Sequence, residues 1–570
     1  LAPTIASLIS LPTGERNHDL EGSPEYIKRE FISAQRDLLL AASKQAPALL
    51  VVEDLHWADP TTLEVLDEVI DAVRNARILV VLTARPEFLV PWTGRSNVAT
   101  HKLTHLNRHE MRQLIDKIVE GAGLDGKVVD QIIERTDGVP LYVEELTKDV
   151  LEASENSGVP ASLQDSLMAR LDRLGTSKEL AQAASIIGRS FSIKALSEIT
   201  SQPLENLESG FKGLISSGLV RRRPDHAEEA YEFKHALVRD AAYDSILRAT
   251  KRKLHGRYAE YLVKMGVADQ KPELLAQHYN AGGLYQEAIS RWQQASAHAM
   301  QQSAHAEAVE HLTQAVGLLD ELPDRSSHLE QELAMQVALG RALTLRKGYG
   351  APEAGPVYER ARNLCQHVND VQRRAEVLRG LWAFHLLRAE LDHAAELAEE
   401  ILELSQSTNN TDLIAGAYHT TGTSLFFQGK FSEAYGHSEL GFSTYQHRAR
   451  HEQKVRYGDN PGVMCGIYTA LDLWMLGYPD LALQRLKDSE RLVQEVDRAV
   501  ETTLWLTFAA RLHAHRQEAN LVGEYATLAI DLSKEHGFPF FLAYANVLKG
   551  WALLASGLVD DGVDLMKKGL

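Results

Sequence analysis

Residues 47–87 read PALLVVEDLHWADPTTLEVLDEVIDAVRNARILVVLTARPE, and two short apolar runs within them organise the rest. The first run, Ala48 to Val52, ends in two carboxylates, Glu53 and Asp54. A helix signal follows, with Asp59 as N-cap and Pro60 at the first helical position. The second run, Ile78 to Leu82, ends in Thr83-Ala84-Arg85. Short apolar runs alternating with a helix predict a parallel sheet with a crossover helix. Carboxylates at the C-terminal end of such a strand stand where open α/β sheets bind ligands.

An acid so placed can hold Mg²⁺ and position water, as in phosphate-binding ATPases. A guanidinium directly after the next strand can reach a terminal phosphate bidentately. Glu53, Asp54 and Arg85 are therefore the candidate nucleotide and metal site. Acids also end buried strands merely because the chain surfaces, and a lone arginine there is unremarkable; the register of the three favours the site. Asp59 reads as a cap rather than a ligand. The Gly-rich loop that should precede such a strand is not found, and the chain opens on Leu1. The α/β part is thus expected to be the second half of a core, in a fragment of a longer protein. One decoy, GAGLDGKV at 121–128, matches phosphate-loop spacing up to its last residue. Val128 has no hydroxyl for Mg²⁺, and the preceding MRQLIDKIVE reads as a helix where a strand is required.

At 570 residues the chain has room for roughly four domains, or fewer with a repeat array. A formal charge of −18 argues against nucleic acid as the main partner. No apolar stretch approaches the roughly 18 residues that span a bilayer. The opening LAPTIASLISLPTG has no basic region and does not read as a signal peptide. Cys365 and Cys465 are expected to be small buried hydrophobes in a reduced cytoplasm.

Four regions follow, making a mainly α, multidomain chain. Residues 1–106 are α/β. Residues 107–175 are helical, with a capping box at Asn107–Glu110 and a break at Asp137-Gly138-Val139-Pro140. Residues 176–262 carry three short helical segments and then a hairpin over 219–233, which predicts a winged helix. Residues 263–570 are helical with a repeat. LRAELDHAAELA, FFQGKFSEAYGHS, MLGYPDLALQRL and LASGLVDDGVDLM align small residues at Ala395, Ala434, Ala482 and Gly562, spaced by 39, 48 and 80 residues. GGLYQEAISRW and SAHAEAVEHL share the pattern. A small residue lets two helices cross closely after a Gly-aromatic turn, the signature of stacked helix hairpins of tetratricopeptide type. This α-solenoid is expected to be a right-handed superhelix whose concave face takes a protein, peptide or small effector. The last unit, cut at Leu570, is expected to fray or self-associate. Most of its aromatics, Trp382, Phe384, Phe426, Phe427, Trp474, Trp505 and Trp551, are expected to pack between helices.

Two further patterns carry less. His101, His105 and His109 recur every four residues, but Leu103 and Leu106 alternate with them as in a strand, so no metal face is expected. Arg221, Arg222 and Arg223, with Arg248, Lys251, Arg252, Lys253 and Arg257, could touch DNA phosphates, or form a solvated wing and helix face.

Together, VVEDLHWAD, LTARPEF, RTDGVPLYVEELT and FKHALVRDAAYDSIL resemble the signal-transduction ATPases with numerous domains (STAND), in the bacterial branch that carries tetratricopeptide-like repeats. Such ATPases often follow a class III adenylate or guanylate cyclase domain, or belong to large LuxR-type regulators. The resemblance implies a partial AAA-type ATPase core, a helical lid, a winged helix and a repeat sensor. It implies ATP/ADP and Mg²⁺ as cofactors, with Walker B acids at Glu53 and Asp54 and a sensor arginine at Arg85. Gly138, Val139 and Pro140 match the turn whose proline packs on adenine. His235 matches the histidine that contacts the nucleotide diphosphate, although Ala236 replaces the acid that usually follows. In that family ADP clamps the winged helix onto the core and ATP opens it. Hydrolysis is expected of the intact protein, not of this chain alone. The alternatives are a DNA-binding transcription regulator and an enzyme of cyclic-nucleotide synthesis.

Overall fold

In the computed structural model, β1 (Ala48–Val52) and β2 (Ile78–Leu82) pair in parallel, with Ala48 opposite Ile78 and Val52 opposite Leu82. The crossover is the helix Pro60–Ala72, whose N-cap Asp59 accepts from the Thr62 backbone N–H at 2.7 Å. Helix Pro24–Gln45 lies against it through Lys28–Glu64 at 2.6 Å and Arg36–Glu68 at 3.0 Å. Trp92 is buried and donates to Asp67 Oδ1 at 2.7 Å. Parallel strands normally bury both faces. Here burial alternates along each strand, leaving Leu49, Val51, Leu79 and Val81 exposed on one face.

The structure describes residues 24–119, 124–152, 163–223, 230–446, 460–496 and 498–570. The opening segment, Gly121–Gly123 of the decoy loop, Ser157-Gly158 and the hairpin turn at 224–229 lie outside the described residues. Two compact units are present, one made of residues up to Trp92 with Gln293–Leu570, the other Thr93–Trp292.

Within the Thr93–Trp292 unit the capping box forms as expected: Asn107 Oδ1 accepts from Glu110 N–H at 3.0 Å, and Glu110 Oε2 from Asn107 N–H at 2.8 Å. The strand-like alternation around Leu103 and Leu106 does not produce a strand. Residues 98–107 are irregular and Leu103 is exposed, since among the described residues no strand pairs with this segment. Helices Thr176–Ile187, Ile193–Thr200 and Leu204–Ser216 lead into β4 (Val220–Arg223) and β5 (Ala230–Phe233). A three-residue strand, β3 (Ser190–Ser192), pairs on the other edge of β5 and completes a three-stranded antiparallel sheet. Phe191, Phe211, Tyr231 and Phe233 stack beneath it.

Beyond that sheet, helices follow one another as hairpins with one recurring turn. Gly283, Ser303, Ala389, Gly429, Gly477, Gln517 and Gly557 all have left-handed φ, between 54° and 88°. After each, the next backbone N–H bonds back to a carbonyl five residues earlier, as in Glu390 to His385 at 2.9 Å, Tyr478 to Leu473 at 2.9 Å and Glu518 to His513 at 3.0 Å. This is the Schellman closure of a helix C-terminus. Five residues after each left-handed position comes a fully buried residue: Ala288, Ala308, Ala394, Ala434, Ala482, Val522 and Gly562.

The repeat is therefore more regular than its small residues suggest. The buried position in the unit at 391–406 is Ala394, one residue before the expected Ala395, which is half-exposed. Val522 divides the interval between Ala482 and Gly562 into two of 40 residues. Trp382 and Trp505 are buried and donate to Ser424 and Ser489 at 2.9 and 3.0 Å, whereas Phe427 is partly exposed. Cys465 is buried, but Cys365 is only half-buried.

Candidate functional site

The chain end of β1 is held by Thr83, the first residue after β2. Asp54 N–H donates to Thr83 Oγ1 at 3.0 Å, Leu55 N–H to Thr83 O at 2.8 Å, and Thr83 N–H to Val52 O at 3.0 Å. This clamp holds Asp54 in a left-handed conformation, φ 57° and ψ 45°. A non-glycine residue is uncommon there, although aspartate adopts this conformation more readily than most side chains. Asp54 is half-buried and Glu53 exposed. Arg85, two residues past Thr83, is exposed, with its guanidinium carbon 5.6 Å from the centre of the Trp57 ring. Glu53 and Asp54 thus follow the C-terminal end of β1, and Arg85 follows the same end of its parallel neighbour β2. Trp57 escaped the sequence reading, since nothing before folding shows that the turn Leu55–Trp57 carries it to Arg85.

Gly138, Pro140 and His235 belong to the other unit. Gly138 has φ 73°, and its carbonyl accepts from Leu106 N–H at 2.7 Å. A Cβ there would stand 2.4 Å from Leu106 O, so both its conformation and its crowding require glycine. Pro140 opens the helix Pro140–Glu152, where its missing N–H is no loss. His235 precedes the helix Ala236–Asp244 and faces Glu144, Glu145 and Lys148 of the Pro140–Glu152 helix. Burial pushes its imidazole below the ordinary value; Lys234 and Lys148 add to this, against Glu145 and Glu144. It is therefore neutral at pH 7, and its Nε2 is buried without a hydrogen-bond partner. A buried polar atom left open suits a ligand, and with the proton on Nε2 it would donate to a phosphate oxygen. The Pro140–Glu152 helix is itself held by a buried ion pair, Glu145–Arg170 at 2.6 Å, whose guanidinium also reaches Ser217 O at 2.7 Å.

The basic hairpin is internally occupied. Arg221 Nε donates to Glu232 Oε1 at 2.5 Å, and Arg223 lies 4.0 Å from the same carboxylate and 3.3 Å from Ser190 Oγ. Among the described residues no helix is long and apolar enough to cross a membrane.

No family model matches the chain. An uncharacterized protein of Rhizobium meliloti (strain 1021) is 23% identical over 591 residues, an alignment covering 99% of this chain and 57% of the relative. The chain thus spans a little over half of that relative's length. Among solved structures, the STAND protein with a tetratricopeptide repeat sensor from Pyrococcus horikoshii aligns over 97% of this chain and 83% of its own, at 11% identity and a TM-score of 0.32. A Rap protein complexed with competence and sporulation factor aligns over 71% and 96%, at 11% identity and a TM-score of 0.39. The quorum sensor NprR of B. thuringiensis aligns over 72% and 99%, at 11% identity and a TM-score of 0.38.

Proposed function

We propose that the chain is the regulatory part of a nucleotide-dependent signalling switch, in which an ATP- or ADP-binding module is coupled to a solenoid that receives a protein, peptide or small effector. In this reading β1 and β2 belong to a P-loop ATPase core, residues 107–175 to its helical lid, and the three helices with their sheet to a winged helix. The bare face of Leu49, Val51, Leu79 and Val81 is where the rest of such a core would pack. Glu53 and Asp54 would hold Mg²⁺, Arg85 the terminal phosphate, Pro140 the adenine and His235 the diphosphate.

One observation carries this reading: the clamp by Thr83 that holds Asp54 left-handed at the strand end which, on the neighbouring strand, leads into Arg85. A strand end that only surfaces has no need of it. The donor set also suits the ligands, two carboxylates for a hard cation and a guanidinium with a neutral imidazole for phosphate oxygens. The output domain regulated by the switch, a cyclase or another, would lie in the intact protein. A DNA-reading role is disfavoured by the commitment of Arg221 and Arg223 to Glu232.

The test is a thermal-shift titration of the intact protein with ADP and with Mg·ATP. Both nucleotides are expected to raise the unfolding midpoint, and Asp54→Asn to remove most of the Mg·ATP shift. Absence of any shift, or an unchanged shift in Asp54→Asn, would overturn the reading.

A further inference from the structure

Two of the recurring turns share more than backbone. In the turn after helix Val371–Leu387, His385 Nδ1 lies 2.6 Å from Glu390 Oε2, and Arg388 Nε donates to Glu390 Oε1 at 3.0 Å. In the turn after helix Ala499–His515, His513 Nδ1 lies 2.6 Å from Glu518 Oε2, and Arg516 Nε donates to Glu518 Oε1 at 3.1 Å. The two sets are 128 residues apart at every position. A His–Arg–Glu cluster is therefore enough to finish this kind of turn.

The first turn has one component more. His393, in the opening turn of helix Leu391–Gln406, is exposed, and its ring stacks on that of His385 with centroids 5.3 Å apart. The corresponding residue of the second turn is Leu521. One donor atom each from His385, Glu390 and His393 all lie within 4.8 Å of one another. An exposed second imidazole adds nothing to the core and is not needed to close the turn, as the Leu521 turn shows.

We infer that His385, Glu390 and His393 form a binding site for a divalent transition-metal ion of the zinc type. Two imidazoles and a carboxylate are a donor set that such borderline cations favour, with water completing the coordination sphere. Arg388 engages Oε1 of Glu390, and Oε2 lies 2.6 Å from His385 Nδ1, so an ion would bind Oε2 by replacing that hydrogen bond. Because His385 ends one helix and His393 begins the next, the bound ion would clip that hairpin together. The inference is independent of the nucleotide reading.

The test is calorimetric titration of the 570-residue chain with zinc chloride, and of three variants. One zinc ion per chain is expected to bind in the wild type and in His513→Gln. Loss of a coordinating group should weaken binding by no less than the about 10–100-fold typical of second-shell changes, so His393→Leu and His385→Gln are each expected to fall by at least that factor. His393→Leu installs the side chain that the other turn already carries, and circular dichroism should show it folded. Cobalt in place of zinc is expected to give a ligand-field spectrum that disappears in His393→Leu. Equal zinc binding by wild type and His393→Leu, or no stoichiometric binding by wild type, would overturn the inference.

Discussion

Thr61 and Glu307, distant in sequence, are joined by two hydrogen bonds: Thr61 N–H donates to Glu307 Oε1 at 2.8 Å, and the Thr61 hydroxyl donates to the same oxygen. Glu307 lies in the first turn of helix His305–Gly317, directly after the left-handed Ser303. It places a carboxylate at the positive end of the Pro60–Ala72 helix, whose own first turn contains no acid. That helix follows Glu53 and Asp54, so a repeat turn is tied to the element behind the candidate nucleotide site.

This tie should be measurable as a coupling. In a double-mutant cycle with Thr61→Val and Glu307→Gln, urea unfolding is expected to give an interaction energy of at least about 0.5 kcal/mol. Strict additivity would show that the two side chains act independently.

The recurring turn separates conformational cost from steric cost. A Cβ on Gly477 would meet no atom within 4 Å, yet φ there is +88°. Gly477→Ala should therefore destabilise the chain by about 1 kcal/mol through backbone conformation alone. Ala389→Gly and Gln517→Gly, at φ 58° and 61°, should stabilise it by up to about 1 kcal/mol. Gly562→Ala should cost more than Gly477→Ala, because a Cβ there would stand 2.7 Å from Gly550 O. Equal losses at Gly477 and Gly562, read from denaturation midpoints, would contradict this division.

Stability should also depend on pH through Asp472. Burial pushes this carboxyl up to about 8, an effect the Ser438 hydroxyl partly offsets. A folded-state value raised above the unfolded one means that the native protein holds the extra proton between about pH 4 and 8. The associated stability is complete below that window and is lost as pH rises through it. His419 acts in the opposite direction: burial lowers it to about 3, so its contribution is present above about 6.5 and lost as pH falls. Asp472→Asn is expected to be at least about 1 kcal/mol more stable than wild type at pH 8, with a smaller difference at pH 5. A gain that does not vary with pH would show that Asp472 does not titrate in this range.

Elements with a strong local cause were legible in the sequence. Five apolar residues closed by acids became β1, Asp59 became a side-chain cap, and Asn107–Glu110 closed a capping box. Legibility failed where the cause is tertiary. Three residues at Ser190–Ser192 are too few to show alternation, and they form a strand only because β5 offers a free edge. The alternation at Leu103 and Leu106 found no such edge. In the repeats, small size marked Ala434, Ala482 and Gly562 correctly but was an incomplete marker. The invariant feature is a left-handed residue five positions before the buried one, which admits Val522 and moves Ala395 to Ala394. The His385–Glu390–His393 cluster was invisible because its donors come from two helices and meet only across the turn. Within the candidate nucleotide site, the order of Asp54, Thr83 and Arg85 could be read from the chain. The clamp between Asp54 and Thr83 could not, since it runs from a backbone N–H to a side chain 29 residues away.

The most direct measurement of the switch is nucleotide affinity of the intact protein in two variants, Arg85→Ala and His235→Ala, with ATP and ADP compared by calorimetry. Arg85, assigned to the terminal phosphate, should matter more for ATP; His235, assigned to the diphosphate of the closed form, should matter more for ADP. The expected result is that Arg85→Ala shifts preference toward ADP and His235→Ala shifts it toward ATP. A shift of both variants in the same direction, or unchanged affinities in both, would contradict it.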